Sequence, residues 1–173
     1  MNDINIKIKE NKNENKIIKE IQMELDIINS EFYDSFKYIK NNNIKLETVI
    51  INEFELAQIN NGIRRQKKAN IKKMNLLYRS TRDGGSINDY HSKCDGHKNL
   101  LTLVKTTDGR KFGGFSSLQL KISGGSQKDD TAFIFSLDKK QNYYIKKGKD
   151  AVYFIEVQSL EILLDVVQNS LLM

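Results

Sequence analysis

Between Leu76 and Leu137 short apolar runs alternate with glycine-bearing turns, and this spacing constrains the chain more than any other feature. Asp108-Gly109 joins Leu101–Thr106 (LTLVKT) to Lys111–Phe115 (KFGGF). An Asp-Gly pair between two such runs is a strong hairpin signal, because glycine tolerates the positive φ that a tight turn needs. Gly113 and Gly114, inside the second strand, predict a bulge or a close backbone approach. Leu76–Tyr78 reads as a buried strand and Arg82–Gly85 as a turn. Ser86 is placed to cap a helix running to about Cys94, with Ile87, Tyr90 and Cys94 on its inner face. Thr131–Leu137 (TAFIFSL) is the most hydrophobic run and reads as a central strand. Tyr143–Ile145 and Ala151–Ile155 read as two further strands around a Lys146–Lys149 turn.

The chain has 173 residues, enough for one domain plus an appendage. Met1–Asn15, rich in Asn, Lys and Glu, reads as disordered or frayed. From Lys16 to Lys40, Ile18, Ile21, Leu25, Ile28, Phe32, Ser35 and Ile39 recur at alternating spacings of three and four. That is a heptad seam over about three heptads, with Ser35 its weak position. Two readings stay open: a short coiled coil that joins copies of the chain into a dimer or trimer, or an amphipathic helix on its own domain. Asn41–Asn43 ends the helix. Thr48–Ile51 (TVII) reads as a short strand. Asn52 is placed as an N-cap, with Glu55 completing a capping box for a helix over Glu53–Asn60 that Asn61-Gly62 would stop.

Composition narrows the classes of function. A single cysteine, Cys94, excludes an intramolecular disulfide. The N-terminus lacks the apolar core of a secretory signal, and no run of about 18 uncharged apolar residues predicts a transmembrane helix. A soluble cytoplasmic protein is the expectation. Net charge is +6, and only Ile63–Lys73 gathers basic residues: Arg64, Arg65, Lys67, Lys68, Lys72 and Lys73. That run reads either as a contact for nucleic acid or an anionic membrane, or as a solvated segment anchored by Ile63, Ile71 and Met74. No aromatic residue is interleaved to stack a base, so nucleic acid is not the expected partner. His91, Cys94 and His97, with Asp95, form a local cluster that could hold zinc or carry a reactive thiol. The alternative is a helix end with Cys94 facing the core. No P-loop, dinucleotide fingerprint or HExxH motif is present, so no catalytic, cofactor or metal residues are assigned and no enzyme is expected.

Four segments in order carry a family resemblance: LLYRSTRDG at Leu76–Gly84, YHSKCD at Tyr90–Asp95, KFGGF at Lys111–Phe115 and AFIFSL at Ala132–Leu137. Together they resemble the TLDc domain of the oxidation-resistance protein family, over roughly Thr48 to Phe154. The resemblance implies an α+β chain: an N-terminal helix, then a TLDc-type antiparallel β-sandwich with short helices. It implies a non-enzymatic interaction module in oxidative-stress protection, with the vacuolar proton-pumping ATPase as a partner. The Ile18–Ile39 seam fits an N-terminal coiled coil that would make a homo-oligomer. The organisation expected is an appendage over 1–45, an incomplete TLDc-like domain over 46–154 and a divergent tail over 155–173. The tail, IEVQSLEILLDVVQNSLLM, reads as an amphipathic helix covering an open sheet or as a poorly specified segment.

Overall fold

The computed structural model describes residues 2–119, 128–145 and 162–172. The chain divides into two compact units, Met1–Asp34 and Ser35–Met173. Helix α1 runs over Asn2–Asn41. It therefore includes the stretch expected to fray. No glycine or proline interrupts Asn2–Asn41, and lysine, glutamate and isoleucine all propagate a helix at small cost. It ends where the asparagine run predicts, with Asn43 in the left-handed region at φ 48.

In the second unit, α2 (Glu53–Lys67) follows the Asn52–Glu55 capping box, with Asn52 Oδ1 accepting from Glu55 N–H at 3.0 Å. It does not stop at Gly62. The helix continues through the basic run to Lys68, which takes the left-handed C-cap conformation at φ 54. Gly62 instead lies against the Phe133 ring, where a Cβ would come within 2.6 Å of ring carbons. Its role is close packing, not termination.

Among the described residues six strands follow: β1 (Asn70–Arg79), β2 (Leu100–Thr106), β3 (Lys111–Ser116), β4 (Phe133–Ser136), β5 (Gln141–Tyr144) and β6 (Ile162–Leu172). Two short helices, α3 (Ser80–Asp83) and α4 (Ile87–Cys94), link β1 to β2. All pairings are antiparallel, in the order β1-β6-β2-β3-β4-β5. The α+β class and the N-terminal helix stand, and the described strands form one six-stranded sheet with helices against it. β4 is next to the edge, not central.

The tail is the largest departure from expectation. Part of it, Ile162–Leu172, is a strand inserted between β1 and β2. Val166 and Val167 are both fully buried, because a central strand is covered on both faces and loses the period-two alternation that marks a half-buried strand. A near-continuous apolar run cannot be told from a helix by spacing alone. The expected strand at Ala151–Ile155 lies outside the described residues.

Two apolar clusters sit on opposite faces of the sheet. On one face, Leu56, Ile59 and Ile63 of α2 and Ile39 of α1 meet Ile71, Met74, Leu101, Leu103, Phe115, Phe133 and Val167. On the other, Cys94 and Tyr90 of α4 meet Tyr78, Leu100, Val104 and Val166. Each fully buried aliphatic or aromatic side chain contributes about 1.5–3 kcal/mol. The expected Leu101–Phe115 hairpin forms, with Leu101 opposite Phe115 and Leu103 opposite Gly113. A Cβ on Gly113 would collide with the Thr102 carbonyl oxygen and the Phe135 ring, so the close approach read from the glycine pair is real.

Thr48–Ile51 is not a strand. Ile50 and Ile51 are buried plugs in the larger cluster, and Ile50 N–H donates to Thr48 Oγ1 at 3.1 Å. The β-branched run is explained by burial, not by pairing.

Candidate functional site

Buried polar residues mark where this fold invests in geometry. Asp165 of β6 is fully buried, on the face that carries Val167. It accepts from Arg79 Nε and Nη2, both at 2.9 Å, and from Thr48 Oγ1 at 2.6 Å. The planar guanidinium fork matches the two carboxylate oxygens, and the charge-assisted bonds offset the cost of burying them. Hydrogen bonding to Asp165 raises the Arg79 pKa further, which keeps the charge in place.

The rest of the RSTRDG segment closes the end of β1. Asp83 accepts from the Arg79 backbone N–H at 2.9 Å and from Arg82 Nε and Nη2. The Arg82 hydrogen bonds pull the Asp83 carboxyl down to about 2. Arg82 Nη2 also donates to the Leu77 carbonyl at 3.2 Å, and Tyr78 Oη to the Gly84 carbonyl at 2.6 Å. Farther along β1, Asn60 Oδ1 accepts from Ile71 N–H at 2.8 Å. Side chains thus occupy backbone groups of a strand that, among the described residues, pairs only with β6, which blunts an edge open to other chains.

The Cys94 cluster does not form a metal centre. Cys94 is buried, and burial, then the charges of Asp95 and Asp83, push its thiol up to about 12. His91 is held through Nδ1 by Asp95 Oδ1 at 2.8 Å, one helical turn along, and His97 N–H bonds the Cys94 carbonyl at 3.3 Å. Among the described residues no group of three His, Cys, Asp or Glu side chains could hold a metal ion. The reading with Cys94 facing the core is the one the structure supports. Neither thiolate chemistry nor zinc through this cluster has the geometry it needs.

The basic run is divided in use. Arg64 Nη1 donates to the buried Ser35 hydroxyl at 3.3 Å, and the Arg65 guanidinium lies 5.0 Å from the Tyr144 ring centroid. Lys67 ends α2, whereas Lys72 and Lys73 belong to β1 and are exposed. The six residues do not form one helix face, as a basic footprint on a polyanion would. Among the described residues no helix is long and apolar enough to cross a membrane.

The seam of α1 is also divided. Ser35 and Ile39 are buried within the second unit, where Asn60 Nδ2 reaches the Ser35 hydroxyl at 3.4 Å. Ser35 is thus a hydrogen-bonded core position, not a weak heptad position. Ile18, Ile21 and Leu25 are exposed in the first unit.

Sequence reading missed Asp165, Asp129 and Asn60. Asp129 takes hydrogen bonds from Ser116 Oγ, Ser117 N–H and Oγ, and Thr131 N–H and Oγ1, at 2.7–3.2 Å. That cage ties the end of β3 to the approach to β4. The signal available was the Ser-Ser pair after KFGGF with Asp-Asp-Thr before AFIF.

A family model described as the TLDc domain matches residues 44–163, and this chain belongs to the TLDc domain family. The match passes beyond Phe154 and reaches the first residues of β6.

Proposed function

We propose that this chain is a non-enzymatic TLDc module that protects against oxidative stress by binding protein, with the vacuolar proton-pumping ATPase as the partner, in the cytoplasm. Family membership over residues 44–163 carries the reading. The state of Cys94 refines it: a buried thiol pushed up to about 12 is a poor peroxide scavenger at neutral pH, so protection would run through contacts and not through the chain's own sulfur. The same reading has copies of the chain joined through the Ile18–Ile39 helix.

The test combines binding and survival. Purified chain is offered to detergent-solubilised proton pump, and peroxide survival is scored in cells whose own TLDc proteins are deleted. Expected are capture of the pump and rescue by both the wild type and Cys94→Ser. Rescue lost in a folded Cys94→Ser variant would sink the contact mechanism in favour of thiol chemistry. Rescue without pump capture would remove the pump as partner.

A further inference from the structure

The exposed part of the α1 seam has no covering within its own unit. Ile17, Ile18, Ile21 and Leu25 remain 47%, 62%, 52% and 47% exposed. Ile18, Ile21 and Leu25 occupy successive a, d and a positions, and Ile17 extends the stripe into g. An apolar stripe of this width on an exposed helix marks an interaction face.

Charge says what kind of partner fits. Lys16 pairs with Glu20 at 3.8 Å, and Gln22 Nε2 donates to Asp26 Oδ1 at 3.0 Å, both along the same helix. Lys16, Glu20 and Asp26 thus have partners along their own helix. Parallel copies would bring each g position opposite the e position five residues on, and the pair beside the exposed stripe is Ile17 with Gln22. It joins no like charges. Such a face offers little charge to an oppositely charged partner and meets no like-charge repulsion from an identical helix.

The side chains also choose the number of strands. Isoleucine at d, with isoleucine and leucine at a, disfavours the two-stranded coiled coil and shifts preference to three or more strands. An apolar g residue widens the buried arc in the same direction. Identical chains around a closed threefold axis must run parallel. We propose that three copies of this chain associate through a parallel coiled coil centred on Ile18, Ile21 and Leu25, with Ser35 and Ile39 excluded because their own domain buries them. This deepens the self-association in the reading above and is independent of which protein the domain binds.

Sedimentation equilibrium of the full chain tests it. The expected mass is three times the 20.0 kDa chain, little changed between about 0.05 and 0.5 M salt because the seam is uncharged. The double variant Ile18→Asp, Leu25→Asp should sediment as a monomer while keeping the tyrosine-detected unfolding midpoint of the second unit. Under mild oxidation Ile21→Cys should form an inter-chain disulfide, with Cys94 buried and silent. A wild-type monomer at every concentration overturns the inference, as does association that survives the double variant. A dimer overturns the threefold assignment. Pump capture by the monomeric double variant separates failure of the trimer from failure of the partner reading.

Discussion

Asp165 is accommodated in the interior because three donors from two distant parts of the chain converge on it. Removing the carboxylate would leave the Arg79 fork and the Thr48 hydroxyl facing apolar neighbours. Arg79 keeps partial access to solvent, so Asp165→Ala should cost about 2–3 kcal/mol, not the full penalty of a sealed charge. Urea midpoints at constant m would measure it. Asp129 makes a pH prediction of definite sign. Burial opposes its charge, but the bonds from Thr131, Ser117 and Ser116 outweigh burial and lower its pKa. A carboxyl with a lowered folded pKa contributes stability that is complete above its unfolded value of about 4 and is lost as pH falls through the folded value. The gap in urea midpoint between wild type and Asp129→Asn should be widest near neutrality and close on acidification. A gap that does not change with pH would refute the hydrogen-bonded cage as its source. Cys94 should resist aromatic disulfide reagents in the native protein and react in full once urea unfolds it, since burial, with the charges of Asp95 and Asp83 added, withholds the thiolate.

Among the elements, α2 shows how packing overrides a local signal. Asn61-Gly62 carries every mark of a helix stop, yet α2 runs on to Lys67 because Ile59 and Ile63 anchor both sides of the glycine in one cluster. Gly62→Ala would gain about 1 kcal/mol of helix propensity but drive a methyl to within 2.6 Å of Phe133 and 2.9 Å of Asn142 Nδ2. Overpacking of this kind costs about 1–3 kcal/mol, so a net loss near 1 kcal/mol is expected by thermal or urea unfolding. What was legible in the sequence divides along this line. The Asn52 capping box, the Ser86 cap, the Asp108-Gly109 hairpin and the Gly113 approach are local in origin, and each formed where its residues predict. Thr48–Ile51, Gly62 and β6 depend on partners far along the chain, and there local propensity pointed the wrong way. The buried polar residues were illegible for the same reason: nothing around Asp165 in sequence announces Arg79 or Thr48.

At the scale of the molecule, β6 holds the sheet together. β1 pairs with no other strand among the described residues, and β2 has β6 and β3 as its neighbours. Val166 and Val167 supply both apolar clusters, one on each face, and Asp165 supplies the ion pair to Arg79. A chain shortened to residues 1–161 would therefore lose more than a terminal strand. Among the described strands β1 would be left unpaired, Tyr78 and Leu101 would each lose a packing neighbour, and the Arg79 guanidinium would lose its Asp165 partner. The two buried valines contribute about 1.5–3 kcal/mol each, and with the strand pairing and the ion pair added the loss is comparable with the net stability of an ordinary domain, about 5–15 kcal/mol. The shortened chain should show no cooperative urea transition, with far-ultraviolet circular dichroism and tyrosine fluorescence changing over different ranges. The second unit with β6 in place should unfold in one coincident step by both probes. A chain beginning at Ser35 should keep that single transition, since Ser35, Ile39 and the residues that bury them belong to one compact unit. If residues 1–161 instead unfolded cooperatively, the sheet would have to close β1 directly onto β2, and β6 would not be the strand that holds it together.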